Sequence, residues 1–201
     1  MLLFEEKVKE NKERFIDAVK SYSSKLGIQP DWLMAIMNSE SGFDSHISNI
    51  GCYRATGDAS KCAVGLIQFM PATAKGLGTT TEKLKAMKNY DQLEYVYKYF
   101  LPYRNSLLNF MSLYLVTFYP VALKYQNNPK YIFGSEKSDK LAKLIYEGNT
   151  GMDSDGDKRI SMADFQKFVF KKIPESYRMK LASSALSQYE YTAKFVGRNK
   201  G

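Results

Sequence analysis

One glutamate lies where a helix is expected to bury its side chains. In the segment DWLMAIMNSESGF, residues 31–43, a helix would place Trp32, Ile36 and Glu40 on one face because they are spaced four apart. An apolar setting raises the pKa of a carboxyl group, and a glutamic acid that keeps its proton near neutral pH can act as a general acid. From this helix alone, the simpler interpretation is favoured, in which the carboxylate reaches water at a helix end.

A second segment supplies groups that suit a polar ligand. AVGLIQFMPATAKGLG, residues 63–78, combines a glycine-led turn, the amide of Gln68, a wall that includes Met70, and Pro71 at the start of a helix. Glycine allows the backbone to approach a ligand closely. A glutamine amide can donate to and accept from sugar hydroxyls or an acetamido group. The two segments together therefore favour a sugar-binding groove beside Glu40.

The paired segments ESGF and GLIQFMPATA resemble the soluble-type lytic transglycosylases, which share their fold with goose-type lysozyme. The resemblance covers roughly residues 32–75. It implies a mainly α, lysozyme-like fold, and we expect a single domain over residues 1–201. It also implies that Glu40 is the catalytic acid and base, and that Ser41, Gln68 and Met70 contact the glycan strand.

The resemblance is incomplete in its third segment. An Ala-Tyr-Asn turn is absent, and LYLVTFYPVAL, residues 113–123, takes its place, so Tyr119 becomes the candidate for the aromatic residue of the groove. The loop between the two main segments is also longer than in many members of the family. It carries Cys52 and Cys62, which we expect to form a short surface disulfide if the protein works outside a reducing cytosol and to be free thiols otherwise.

The implied reaction is cleavage of the β-1,4 bond between N-acetylmuramic acid and N-acetylglucosamine, leaving 1,6-anhydromuramyl ends. Two alternatives stay open: a muramidase that uses water, and a non-catalytic glycan-binding component of a phage tail or secretion machine. A muramidase would normally need a second carboxylate, for which Asp44 and Asp58 are the nearest candidates in the sequence. Both are interpreted as surface acids, and His46, the one histidine, as a surface residue.

An acidic loop has the residue spacing of a calcium site. DSDGDKRISMAD, residues 153–164, resembles an EF-hand loop, and its six candidate ligands occupy positions 1, 3, 5, 7, 9 and 12. They are Asp153, Asp155, Asp157, Arg159 through its carbonyl group, Ser161 and Asp164. Lys158 replaces the usual glycine and Asp164 the usual glutamate, which should weaken binding. We expect a structural calcium ion, with an Asp-rich turn that binds no metal as the alternative.

The composition limits the partners and the location. A net charge of +8 suits an acidic cell wall, while the absence of Lys/Arg blocks and nucleic-acid motifs argues against nucleic acid. The apolar segment 107–123 contains polar residues and is too short to span a bilayer, so we expect a buried helix. The N-terminus does not read as a secretory signal, which favours a phage protein or a dedicated export route unless a signal was removed. We expect a monomer that acts on peptidoglycan, in the periplasm, outside the cell or on a virion.

The helical segments follow from apolar periodicity and capping residues. Gly27 and Gly42 should end the first two helices, Asp31 should cap the start of the second helix and Asp91 that of the helix at residues 92–103, and residues 44–64 should form a loop. In all, helices are expected at residues 5–26, 31–41, 71–76, 92–103, 107–118, 138–148, 161–173 and 174–193.

Overall fold

The computed structural model describes residues 1–178. The chain divides into two units, Met1–Leu107 and Leu108–Gly201. The described residues are mainly helical, with three isolated bridges and no β-strand, so the predicted α class is confirmed. The single domain expected over residues 1–201 stays a prediction.

Three long helices form the core of the first unit. Helix α1 packs on both α2 and α6, and its side chains Phe15 and Val19 are completely buried. Shorter helices follow α2 and precede α6, and 3-10 turns lie at Glu5–Lys7, Ala59–Lys61 and Leu101–Ser106. The α-helices are α1 (Lys12–Leu26), α2 (Pro30–Ser41), α3 (Ile50–Thr56), α4 (Pro71–Gly76), α5 (Thr81–Ala86) and α6 (Asn89–Phe100).

The two helix ends predicted at glycines are confirmed, whereas one predicted helix start and two predicted caps are wrong. Gly27 and Gly42 end α1 and α2 in the left-handed conformation, as expected. Helix α1 begins at Lys12 instead of residue 5, because Asn11 is left-handed with φ 48°. Asp31 does not cap α2, because the helix already begins at Pro30 after Gln29; its carboxylate accepts a 2.7 Å hydrogen bond from the Leu3 amide. Asp91 lies inside the first turn of α6 and does not cap it.

The loop predicted over residues 44–64 contains a helix. Asn49 caps α3 by accepting a 2.8 Å hydrogen bond from the Cys52 amide, and Gly57 ends the helix with φ 65°. The polar residues that suggested a loop are thus the caps of a short helix. No residue of α3 is buried, so its sequence lacks the apolar periodicity by which a packed helix is predicted.

The second unit is built around an aromatic cluster. Its helices are α7 (Phe110–Phe118), α8 (Asp139–Gly148) and α9 (Met162–Lys171), with 3-10 turns at Pro120–Tyr125 and Thr150–Met152. Helix α7 packs against α9, and the Phe118 ring lies 5.2 Å from Phe133 and 5.4 Å from Phe165 between centroids. All seven residues of 110–116 are buried, which explains the apolar stretch in the sequence.

The apolar stretch therefore forms a buried helix, as expected, although α7 is shorter than predicted. Across residues 1–178, no helix is both long and apolar enough to cross a bilayer. The helix predicted over residues 174–193 lies mostly outside the described residues. Of that segment, residues 175–178 are helical.

Candidate active site

Glu40 occupies the last turn of α2. Residues 32–37 of this helix are all buried, whereas Asn38, Ser39 and Glu40 are partly exposed. Gly42 follows with φ 59°, a conformation that costs other residues energy, so the helix stops directly after the carboxylate. The helix was predicted to bury Glu40 on its apolar face, with a carboxylate that reaches water at the helix end as the alternative; the side chain is partly exposed.

A tight turn formed by residues 65–68 belongs to the same unit. Val64 and Phe69 pair on either side of it, with the Phe69 amide donating to the Val64 carbonyl at 2.8 Å. Gln68 closes the turn: its backbone N–H donates to the Gly65 carbonyl at 3.0 Å, and the residue is left-handed with φ 55°. The segment singled out as a possible groove is thus a four-residue hairpin turn.

Ser41 joins the end of α2 to this turn. Its hydroxyl oxygen lies 3.1 Å from the Met37 carbonyl and 3.0 Å from the Leu66 carbonyl, so its proton can serve either acceptor. Ser41 is buried, with 9% of its surface exposed. The side chain next to Glu40 therefore fixes the distance between the helix end and the turn. Its predicted contact with a sugar stays a prediction.

Gln92 also holds the turn, and sequence analysis did not identify it. Its side-chain oxygen accepts from the Leu66 amide at 2.6 Å, while its nitrogen donates to the carbonyls of Ser45 at 3.0 Å and Leu84 at 2.9 Å. The side chain is completely buried. A buried amide with three satisfied hydrogen bonds specifies one arrangement of the segments it joins, because losing any bond leaves a polar group unpaired.

Gly65 permits this close approach. A Cβ atom at that position would lie 2.3 Å from the side-chain oxygen of Gln92 and 2.7 Å from its nitrogen. The residue also has φ 76°. Both the backbone conformation and the space therefore require glycine. The sequence suggested that this glycine lets a ligand come close to the backbone. In the structure, the side chain of Gln92 lies there instead.

Tyr99 of α6 is a second residue that the sequence analysis missed. Its ring meets Phe69 edge-on, with centroids 6.3 Å apart. Burial, followed by the neighbouring Tyr103 and Glu40, raises the pKa of Tyr99 to about 12. The phenol therefore lies within the electrostatic reach of Glu40. Nothing in the sequence distinguished Tyr99 from the other tyrosines of α6.

The side chains of Gln68 and Met70 border the turn. Gln68 is partly exposed, and its amide nitrogen donates to the Gly65 carbonyl at 3.1 Å. Met70 is 53% exposed, although it is large and apolar. Pro71 begins α4 directly after it, as predicted. An exposed methionine beside a partly free amide offers both the apolar and the polar contacts that a sugar ring needs.

The nearby acids and the histidine are held in local structure. Asp44 accepts from the His46 amide at 2.8 Å, and Asp58 accepts from the Ser60 amide at 2.9 Å. Hydrogen bonds from Ser60, and then from Lys61, lower the pKa of Asp58. The His46 ring nitrogen Nδ1 lies 2.6 Å from the Lys85 carbonyl, and the residue is exposed.

Cys52 and Cys62 are joined by a disulfide in the structure, with their Cα atoms 5.6 Å apart. The bridge links α3 to the segment that leads into the turn. Cys62, at the end of the bridge next to the turn, is completely buried. The Asn49 amide donates to the Ala63 carbonyl at 3.0 Å, and the Gly65 amide to the Ile47 carbonyl at 2.9 Å. The insertion is therefore anchored at the base of the turn.

Tyr119 lies in the second unit, where it ends α7. Its hydroxyl donates to Glu136 at 2.5 Å, and Tyr131 donates to the other oxygen of the same carboxylate at 2.6 Å. Glu136 carried no signal in the sequence, because its two partners are 17 and five residues away. The predicted role of Tyr119 in the groove stays a prediction.

Three of the predicted calcium ligands cluster in the acidic loop. Carboxylate oxygens of Asp153, Asp155 and Asp157 lie within 4.8 Å of one another. Burial acts to raise the pKa of Asp153, but the backbone amides of Gly156, Lys158 and Asp155 donate to it and the net effect lowers the pKa. Lys158, at the position of the expected sharp turn, has φ 63°. Hard, ionised oxygen donors of this kind fit calcium.

Asp164 fits less well as a ligand. It is buried, and hydrogen bonds from Ser154 and Ser161 occupy both of its oxygens, including 3.2 Å and 3.0 Å bonds from their amides. With Ser161 it forms the capping box that begins α9. Calcium coordination by Asp164 or the Ser161 hydroxyl would have to replace these bonds. The carbonyl of Arg159 stays a predicted ligand.

Comparisons with known proteins agree with the first unit. The family model described as Transglycosylase SLT domain matches residues 17–98. No curated protein and no solved structure matches the chain. The matched region runs from α1 into α6 and contains Glu40, the turn and Gln92, whereas Tyr119 and the acidic loop lie outside it. Residues 17–98 are thus similar to a transglycosylase domain, which supports an enzyme of the transglycosylase type that acts on peptidoglycan.

Proposed function

We propose that this protein is a peptidoglycan lytic transglycosylase that cleaves the bond between N-acetylmuramic acid and N-acetylglucosamine. The observation that carries the proposal is the placement of Glu40 at the end of a buried helix, joined through Ser41 to the turn of residues 65–68. The match to a transglycosylase domain covers both parts.

Glu40 performs both proton transfers in this proposal. Its carboxyl group first gives a proton to the glycosidic oxygen as the bond to C1 of the muramyl residue breaks. The resulting carboxylate then takes the proton of the muramyl 6-hydroxyl, whose oxygen attacks C1 and closes the 1,6-anhydro ring. Because the nucleophile belongs to the substrate, its attack has the high effective concentration of an intramolecular reaction.

The neighbouring groups would orient the sugars. Gln68 offers an amide to hydroxyl or acetamido groups, and the exposed Met70 offers an apolar surface to a ring face. Tyr99, whose ring meets Phe69 edge-on, lies within the electrostatic reach of Glu40.

The rival enzyme is a muramidase that uses water. It would normally need a second carboxylate, either to activate the water or to form a covalent intermediate. Asp44 and Asp58 each accept hydrogen bonds from their own turns, which gives them a structural role already. Under the transglycosylase proposal, Asp44→Asn and Asp58→Asn should both keep near wild-type turnover. A collapse of turnover in either variant favours the muramidase.

The alternative that is not an enzyme is a glycan-binding component of a phage tail or secretion machine. Binding alone does not require an acid at position 40. Release of soluble fragments from purified peptidoglycan by the wild-type protein would support the enzyme, and binding without release would support the rival. The charge of +8 suits an acidic wall in either case. We further propose a monomer that acts on the cell wall and does not bind nucleic acid.

We also propose that the acidic loop binds a structural calcium ion. The support is the cluster of Asp153, Asp155 and Asp157 within 4.8 Å, together with the left-handed Lys158 at the sharp turn. Such an ion would hold the entrance to α9 and would take no part in the cleavage. The test is a calcium-dependent rise in thermal stability, described in the Discussion.

A further inference from the structure

A disulfide joins α3 to the segment that carries the turn beside Glu40, all within the first unit. Cys52 lies on α3 and is partly exposed, whereas Cys62 is completely buried and stands three residues before Gly65. Residues 62–67 are all buried. The bridge therefore enters the interior of the unit directly before the turn, and it has no part in the chemistry described so far.

Helix α3 depends on this bridge because it has no apolar anchor of its own. None of its seven residues is buried, and its large apolar side chains Ile50 and Tyr53 are 59% and 52% exposed. Its side-chain hydrogen bonds are local: Asn49 caps the start, and the Thr56 hydroxyl donates to the Cys52 carbonyl at 2.9 Å. A covalent link can hold such a segment where a hydrophobic core does not.

Backbone pairings carry the position of α3 to the turn. They join residues 47–49, directly before α3, to residues 63–65, which lead into the turn. The turn contacts the end of α2, because the Ser41 hydroxyl lies 3.0 Å from the Leu66 carbonyl. Opening the bridge would free α3 and weaken these pairings, so the change would reach the residue next to Glu40. The pairings are the Asn49 amide with the Ala63 carbonyl at 3.0 Å and the Gly65 amide with the Ile47 carbonyl at 2.9 Å, which flank the isolated bridge of Ser48 with Val64.

The exposure of the two cysteines determines how a reductant opens the bridge. One thiolate of a dithiol attacks the sulfur of the partly exposed Cys52, which forms a mixed disulfide and releases the Cys62 thiolate. The second thiol of the reductant then displaces Cys52, and the reductant leaves as its own disulfide. Two electrons and two protons have then passed to the protein. The Cys62 sulfur lies 3.4 Å from the Asp58 carbonyl, so the buried thiol has a hydrogen-bond acceptor.

We propose that the Cys52–Cys62 bridge is a redox switch on the candidate active site: the enzyme is active when the bridge is closed and loses activity when a dithiol opens it. The inference rests on the proposed function and adds the regulation of the same site. Opening the bridge releases residues 63–65, and with them the turn bordered by Gln68 and Met70, which are proposed to orient the sugars. The protein then cleaves little in a reducing cytosol and becomes active in an oxidising compartment.

The test compares closed, reduced and reoxidised protein on soluble glycan strands, at a temperature where circular dichroism shows all three forms folded. Reduction with dithiothreitol should lower kcat/KM by about 10- to 100-fold, because a displacement of about 1 Å in positioning groups can cost that much. Reoxidation with glutathione disulfide should restore it. Cys52→Ser should have the low activity from the start and should not respond to dithiothreitol, which also controls for effects of the reagent on the assay.

Hydrogen exchange supplies a readout that does not depend on activity. After reduction, the Gly65 and Asn49 amides should exchange at least about tenfold faster, while the Val19 amide of the buried helix α1 should keep its protection. Gly27→Ala is the matched control for lost stability. It strains the left-handed end of α1, where a new Cβ atom meets no other atom within 4 Å. It should lower the melting temperature without lowering kcat/KM.

Three results would each overturn the inference: an unchanged kcat/KM after verified reduction, an unchanged exchange rate of the Gly65 amide, or a loss of activity in Gly27→Ala as large as that in Cys52→Ser. A loss that reoxidation does not reverse would also overturn it, because a switch must return. Failure of the proposed function is seen separately, as a closed wild type that releases no product or as turnover that survives in Glu40→Gln. The exchange experiment would still report on the bridge in that case.

Discussion

The turn beside Glu40 and the acidic loop of the second unit both gather polar groups, but by opposite means. The turn is held by buried side chains from distant parts of the chain: Gln92 and Ser41 reach Leu66 across 26 and 25 residues. In the acidic loop, the Asp153 carboxylate accepts from backbone amides only two to five residues ahead. A catalytic site needs the first arrangement, because proton transfer tolerates little displacement.

The comparison predicts where the molecule is sensitive. A buried amide such as Gln92 cannot lose one bond without leaving another group unpaired in the interior. The exposed aspartates of the loop can exchange their amide partners for water or a cation. Changes at the turn should therefore affect both activity and folding, while changes at the loop should affect stability only when calcium is present.

The largest expected effect is on turnover, at Glu40. Glu40→Gln keeps the shape of the side chain but removes the transferable proton, so turnover should fall by about 10²–10⁴-fold. The melting temperature should hardly change. Glu13→Gln, an exposed position on α1, is the control and should keep wild-type activity. Wall clearing by Glu40→Gln at the wild-type rate would remove Glu40 from the mechanism.

The next effect is on folding, at Gly65. Gly65 and Gly78 share φ 76°, but only Gly65 has a side chain, that of Gln92, in the space of a new Cβ atom. Gly78→Ala should cost about 1–2 kcal/mol for the left-handed backbone. Gly65→Ala should cost roughly 1–3 kcal/mol more for the overlap. Denaturant unfolding measures both, and equal costs would mean that Gln92 does not confine the turn.

A smaller effect concerns the disulfide at the base of the turn. Cys52 and Cys62 are ten residues apart, and on the chain-entropy model such a loop stabilises by about 3 kcal/mol. Reduction should lower the melting temperature, and the unreduced protein should be lighter by the two hydrogens lost on oxidation. Two titratable thiols in freshly purified, unreduced protein would contradict the bridge.

The smallest effect is expected at the acidic loop and depends on calcium. Calcium that binds only the folded protein should stabilise it by about 2.7 kcal/mol at a hundredfold excess over Kd. Asp155→Asn should abolish the rise in melting temperature, because Asp155 is one of the clustered carboxylates. Asp58→Asn, an aspartate in a turn outside the cluster, should keep it. A wild-type melting temperature that does not respond to millimolar calcium would exclude the site.

The sequence predicted the parts of the fold that local chemistry decides. Gly42 was expected to end α2 because a left-handed residue is needed there, and Pro71 to begin α4 because its missing amide costs nothing at a helix start. Asp31 failed as a cap because it lies inside the first turn of α2, where its carboxylate accepts a hydrogen bond from the distant Leu3 amide. A contact across 28 residues has no counterpart in local spacing.

The same limit applies to the candidate site. Glu40 and Gln68 could be selected from the sequence because their short segments have a recognisable order. Gln92, Tyr99 and Glu136 could not, because their importance comes from partners brought together by folding, such as the Ser45 and Leu84 carbonyls around Gln92. A buried glutamine on a helix looks like any surface glutamine until its partners are known.

The most direct test of the account is the chemistry of the new chain ends. If Glu40 acts alone and the muramyl 6-hydroxyl is the nucleophile, digested peptidoglycan will carry 1,6-anhydromuramyl ends. Mass spectrometry will find these fragments lighter by one water than hydrolysed ends, and borohydride will not reduce them. Mostly reducible muramyl ends would contradict the account, because water would then be the nucleophile and a second carboxylate would be needed.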